Sequence, residues 1–333
     1  MSDTRDTPSV VERTRAVAAG APVVGAHFLK KIPAFVLGEE AVLLAPEGTA
    51  EQRVVVHGGG ILASAGDGTR LVTGGDDGKV VALDAAGKVT IVAQDAKRRW
   101  IDHVALGPDG AVAWSAGKSA FARTGAGERT VELPSTPGGL AFAPKGVRLA
   151  IAHYNGVSLW FPNATAAPER LEWKGSHLGV SFSPDGKFVI TTMQEPVLHG
   201  WRLADGKHMR MSGYSAKVRS LDWSADGKWL ASAGAEQLIL WPFQSKDGPM
   251  GNAPRMLAPY PARAAIVSCH PREPVAAVGY ADGLLLLVRI DDGAEILAKK
   301  PGAAPVTALG WRADGTALAF GTEDGEAGVI DLS

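Results

Sequence analysis

Along most of this chain a short apolar run ends in a small or acidic turn, and a second apolar run follows at once. The phrase Phe182-Ser183-Pro184-Asp185-Gly186-Lys187 is the clearest case, with related turns at Ala65-Gly66-Asp67-Gly68, Gly107-Pro108-Asp109-Gly110 and Ala143-Pro144-Lys145-Gly146. Further along come Ser224-Ala225-Asp226-Gly227, His270-Pro271-Arg272-Glu273 and Arg312-Ala313-Asp314-Gly315. Asp-Gly closes a tight hairpin because glycine tolerates positive φ, so each phrase predicts two antiparallel strands. The second run usually meets another such turn, as at Gly74-Gly75-Asp76-Asp77-Gly78 or Tyr280-Ala281-Asp282-Gly283. A third strand is then predicted over residues 80–83, 157–160, 238–241 and 284–288. A more polar fourth strand follows, for example over residues 88–93, 129–133, 170–173 and 296–298.

Gly68 to Gly315 spans 247 residues in six steps, a mean period of about 41, which lies in the range of four-stranded propeller blades. The prediction is an all-β, eight-bladed β-propeller of four-stranded antiparallel blades. Seven units carry the turn phrases, and residues 23–57 divide into four further strands near 24–29, 34–37, 41–44 and 53–57. The last unit has three strands, over residues 306–311, 316–321 and 327–332, so residues 11–18 are expected to supply its fourth and close the ring. Closure of that kind removes exposed sheet edges. If the first unit is an irregular cap, the count falls to the alternative of seven. Residues 1–9 read as a flexible tail and residues 10–333 as a single domain.

The third strands carry Leu159-Trp160-Phe161, Gly200-Trp201-Arg202 and Leu240-Trp241-Pro242, while Ala82-Leu83-Asp84 and Val329-Ile330-Asp331 keep Asp where Trp is lost. On these motifs the chain resembles a bacterial WD-repeat β-propeller over residues 10–333. No repeat holds a full Trp-Asp pair. The Gly-His pair expected before the first strand is also missing, its nearest counterpart being Gly175-Ser176-His177. The resemblance therefore implies an incomplete buried network of His, Ser/Thr, Asp and Trp. Trp160, Trp201, Trp241, Trp223 and Trp311 fall at repeated strand positions and are expected to be packing residues.

Composition narrows the function classes. The 41 glycines suit a turn every ten residues or so. A lone Cys269 excludes an intramolecular disulfide, and the first thirty residues lack a basic segment followed by an apolar signal core. A cytoplasmic location is expected. No run approaches the roughly 20 apolar residues that cross a bilayer, so no membrane partner is expected. Lys plus Arg (34) nearly equals Asp plus Glu (35), so no global field favours nucleic acid. The eight histidines are scattered without metal-ligand spacing, and no metal or cofactor is expected. Cys269 stands in the slot of Phe142, Phe182, Trp223 and Trp311 and reads as core, since the adjacent His270 points to the opposite face of a strand.

What remains is a set of loops joining each fourth strand to the next first strand. They hold Lys97-Arg98-Arg99-Trp100, Lys174-Gly175-Ser176-His177, Tyr214-Ser215-Ala216-Lys217 with Arg219, Tyr260-Pro261-Ala262-Arg263 and Lys299-Lys300-Pro301. Aromatic and Arg anchors among charges are the composition of interaction hot spots. The expected contacts are Arg98, Arg99, Trp100, Lys174, His177, Tyr214, Arg219, Tyr260 and Arg263. Tyr154 and Tyr280 join them from the loops between second and third strands. The expected function is a non-catalytic scaffold for an unidentified protein partner, monomeric when alone. The alternative is an enzyme or small-ligand receptor using the axial funnel.

Overall fold

The computed structural model describes residues 7–333. Regular structure among them is β, apart from two three-residue 3-10 turns at Val11–Arg13 and Pro108–Gly110. The predicted turns form as their chemistry dictates. Gly68, Gly110, Gly146, Gly186, Gly227 and Gly315 all take positive φ, between 69° and 84°. The turn at His270-Pro271-Arg272-Glu273 has no glycine, and there His270 Nδ1 accepts hydrogen bonds from the backbone of Arg272 (3.1 Å) and Glu273 (2.8 Å). An imidazole thus does the work that an Asp carboxylate does at Asp185 and Asp226, which accept from Lys187 and Lys228 N–H groups.

The strands pair into the four-stranded antiparallel sheets of a β-propeller. There are seven hydrogen-bonded sheets among the described residues, six of four strands and one of six. This corrects the expectation of eight separate four-stranded blades and matches the alternative count. The difference arises in two long strands. Leu149–Trp160 pairs through residues 149–152 with Gly139–Phe142 and through residues 154–159 with Glu169–Phe182. Glu169–Phe182 in turn pairs through residues 177–182 with Phe188–Met193. Two sequence units are thereby joined in one sheet through Glu169–Phe182, whose two halves pair with different neighbours. Within the first long strand the chain reverses at Asn155 (φ 68°) and Gly156 (φ 142°). His153 Nε2 lies 2.9 Å from Ser158 Oγ, whereas five residues of straight strand would span roughly 17 Å.

The chain divides into two compact units. One comprises Met1–Gly38, Val42–Arg53 and Arg219–Ser333, and the other Glu39–Ala41 and Val54–Val218. In the first, the N-terminal strand Thr14–Ala18 lies antiparallel to Glu326–Asp331, from Thr14 opposite Ile330 to Ala18 opposite Glu326. It supplies the fourth strand that the last sequence unit lacks. Of the expected tail, residues 1–6 lie outside the described residues, while Leu297 N–H donates to Pro8 O (2.8 Å) and Val10 N–H to Leu297 O (2.9 Å).

Each unit is cored by its middle strands. Ala276, Val278, Tyr280, Leu286 and Val288 pack with Leu238 and Leu240 in the first unit. In the second, Val157, Leu159, Phe182, Val189 and Trp201 form one cluster, and Leu149, Ile151 and Trp160 belong to another. Trp160, Trp201 and Trp241 are buried, as their repeated strand position predicts. Successive first strands approach backbone to backbone: a Cβ at Gly310 would sit 2.2 Å from Ala26 O. Fourth strands such as Gly127–Glu132 are mostly exposed, which explains their polar composition. Cys269 is buried, and its N–H donates to Asp222 Oδ2 at 2.8 Å. Burial pushes its thiol well up, and the Asp222 carboxylate adds to the shift.

Candidate interaction surface

The second unit contains the better-formed site, and its loops are fixed by buried polar groups. His57 Nε2 lies 2.8 Å from Thr73 Oγ1, and Nδ1 lies 3.0 Å from Asp77 Oδ1. Asp77 also accepts from the backbone of Gly58 and Lys79, each at 3.0 Å. Partial burial works to raise the Asp77 pKa, but the bonds from Gly58, His57 and Lys79 outweigh it and hold the carboxyl at about 2. A related arrangement surrounds His177, whose Nδ1 lies 2.8 Å from Thr191 Oγ1 and whose Nε2 lies 3.0 Å from Trp173 O. Its ring packs 5.5 Å from that of Trp201. One network thus has His, Thr and Asp, and the other has His, Thr and Trp. His57 escapes sequence reasoning because it precedes Gly58-Gly59 and reads as the end of a strand. The four-residue spacing from Thr73 to Asp77, repeated from Thr191 to Glu195, is the signal that could have found it.

The first of these anchors adjoins the loop that carries Trp100, where Asp95 N–H donates to Gly78 O at 2.8 Å. Asp95 organises it: its carboxylate accepts from the backbone of Lys97 (2.9 Å) and Arg99 (3.0 Å) and from the Arg99 guanidinium (2.7 Å). The guanidinium bonds come first among the causes that hold Asp95 below the usual carboxylate range. Arg98 adopts φ 52° and packs over Gly78, where a Cβ would come 2.8 Å from Arg98 Cα. The consequence is a division of labour. Arg99 is committed to Asp95, while Arg98 is exposed and Trp100 is 61% exposed. Ile101, the next residue, is fully buried, so the alternation of the strand it begins turns Trp100 outward.

A polar chain runs from this loop to Glu132, two residues before the wall of a cavity of about 820 Å3. Arg99 Nη1 donates to Ser119 Oγ at 3.5 Å, and Ser119 donates to Glu132 at 2.6 Å. Just beyond Glu132, Pro134 and Ser135 line the cavity, together with Tyr154, Arg170, Trp173 and Lys174. Ser135 Oγ accepts the Tyr154 N–H at 3.0 Å, and Asn155 Oδ1 accepts the Gly175 N–H at 3.2 Å, so both walls are tied down. Tyr154 is 54% exposed and Lys174 is exposed. Behind the cavity Trp173 stacks on His199 with ring centroids 4.2 Å apart. Burial, with His177, His208 and Arg210 nearby, lowers the His199 pKa to about 3.

Three expected contacts are core residues. His177 is 1%, Tyr214 8% and Tyr280 0% exposed, so their rings are not offered to a partner. Tyr280 ends the strand Val275–Tyr280, which is buried from Ala276 onward, and donates its hydroxyl to Ala258 O at 2.5 Å. Burial pushes its phenol strongly up. In the first unit Arg219 and Arg263 are exposed, and half-buried Tyr260 donates to Asp282 Oδ2 at 2.8 Å. Lys299, from the same kind of loop, is buried and bonds Glu326 at 3.0 Å. Among the described residues no group of three or more His, Cys, Asp or Glu is gathered to hold a metal ion. No helix there is long and apolar enough to cross a membrane.

Residues 207–241 match the family described as WD domain, G-beta repeat. In chain order they contain the fourth strand His208–Met211 and the next two, Leu221–Trp223 and Trp229–Ser232, and end within Leu238–Pro242. The matched repeat and the sheets together support a WD-repeat propeller. The chain is also similar to WD repeat-containing protein 1-B of Xenopus laevis, 32% identical over 77 residues. That stretch is 22% of this chain and 13% of the relative, so the chain spans only a small part of that protein's length.

Proposed function

We propose that the protein is a non-catalytic, cytoplasmic interaction platform that receives a segment of a partner protein on the surface running from Trp100 to Tyr154. The observation that carries this reading is the exposed Trp100 on a loop already ordered by Asp95. Ordering a loop on binding costs free energy, so a loop fixed beforehand favours association. An exposed tryptophan flanked by Arg98 is the composition of a hot spot. Tyr154 and Lys174 extend the same surface along the cavity, with Arg99 and Ser119 as the structural link. Arg219, Tyr260 and Arg263 are proposed as contacts in their own right on the other unit. Residues 10–333 act as one domain in this reading, monomeric when alone, and no cofactor, nucleic acid or lipid is required.

The test is capture of partners from extract of the source cells by wild-type protein, Trp100→Ala and Tyr154→Ala, with folding checked by circular dichroism. A partner held by a central tryptophan should bind the first variant about 2 kcal/mol more weakly. Removal of a single exposed charge such as Arg98 should mainly slow association. Undiminished capture by both aromatic variants would overturn the reading.

A further inference from the structure

A second, smaller cavity lies in the other unit, where the N-terminal strand meets the last sheet. Its volume is about 250 Å3, and Arg13, Arg15, Lys31 and Arg312 line it against Glu47 and Asp331. Ser333 lines it as well, Asp331 lies near both Arg13 and Arg312, and the cations are not equally committed. Arg312 is paired with Asp314 at 2.9 Å. Arg15 Nη2 donates to Ala45 O at 2.7 Å, a contact that orients the guanidinium and leaves its charge uncompensated. Arg13 Nη1 donates to Ser333 O at 3.4 Å. Among the described residues neither Arg15 nor Lys31 has a carboxylate partner. Phe28, Pro33, Ala317 and Val329 supply an apolar wall on the same cavity.

We propose that this cavity binds a phosphomonoester carried on a small apolar or aromatic stem. Guanidinium groups match phosphate oxygens with paired N–H donors, and a lysine adds a mobile point charge. The uncommitted Arg15 and Lys31 favour an anionic group, and the apolar wall favours a stem over free phosphate. The volume is below the roughly 300–1,000 Å3 of drug-sized sites, so the ligand is small. The site is independent of the Trp100 surface, which belongs to the other unit.

Phenyl phosphate, inorganic phosphate and phenol are the probes, titrated by calorimetry into the full chain at low ionic strength, where exposed charges are least screened. Phenyl phosphate should bind saturably at one site, at least tenfold tighter than inorganic phosphate, and phenol should not bind. The variant carrying Arg13→Ala and Lys31→Ala should lose at least tenfold in affinity. Both side chains are exposed, so its melting temperature should stay near that of wild type and keep the result interpretable. Equal affinity for phenyl phosphate and inorganic phosphate, unchanged affinity in that variant, or no saturable binding of phenyl phosphate would overturn the proposal.

Discussion

Trp100 and Tyr280 occupy similar settings in the sequence, each an aromatic in a loop with charged neighbours, yet one faces solvent and the other is wholly enclosed. Trp100 stands immediately before a strand whose first residue, Ile101, points inward. Tyr280 is the last residue of the strand Val275–Tyr280, and its hydroxyl finds a carbonyl partner in Ala258. The lesson is that position relative to the strand end, and a buried acceptor within reach of the phenol, decide which aromatics are surface and which are core. Loop composition alone does not.

The comparison breaks most readily at the core residue. Tyr280→Ala should cost about 3–5 kcal/mol of stability, as for a fully buried aromatic, while Trp100→Ala should stay within about 0.5 kcal/mol of wild type. Chemical denaturation of both variants measures the contrast, and similar losses would erase the distinction.

A smaller effect concerns acid. His199 has neither ring nitrogen hydrogen-bonded and stays neutral down to about pH 3, and burial lowers His27 to about 4. Both folded values lie below the ordinary 6.5, so between these limits the unfolded chain binds more protons than the folded one. Stability is therefore full above about pH 6.5 and falls as the pH drops towards 4. Melting temperatures from pH 7.5 to 4.5 should show the decline, and His199→Phe should flatten it. A decline of the same slope in that variant would remove His199 from the account.

The smallest expected effect sharpens the loop side of the comparison. Asp95→Ala removes the group that orders residues 97–99, and should lower stability by about 1 kcal/mol. Hydrogen exchange should quicken at Lys97 and Arg99 and remain unchanged at Ile266 and Val278. Unchanged exchange at residues 97–99 would mean that Asp95 does not hold the loop.

Much of the fold was legible because turn chemistry is local. Asp-Gly phrases fix hairpins within four residues, and the missing strand after Leu332 pointed to the N-terminal segment that pairs there. The fusion of two sequence units across Glu169–Phe182 was not legible, because turn phrases mark hairpins and carry no information on where one sheet passes into the next. At the site, Arg98 and Trp100 lie exposed. The burial of His177, Tyr214 and Tyr280 was not legible in loop composition: His177 lies inside the strand Glu169–Phe182, Tyr214 lies three residues past Met211, and only Tyr280 stands at a strand end. The pairing of Arg99 with Asp95 depends on a positive φ at Arg98, which residue identity does not predict.

The most direct test of the interaction surface is photocrosslinking in the source cells, with a benzophenone side chain placed at position 100, at position 154 and, as a control, at exposed Lys145. The account predicts that positions 100 and 154 capture the same protein and that position 145 does not. Capture of unrelated proteins at 100 and 154, or of none at either, would contradict it.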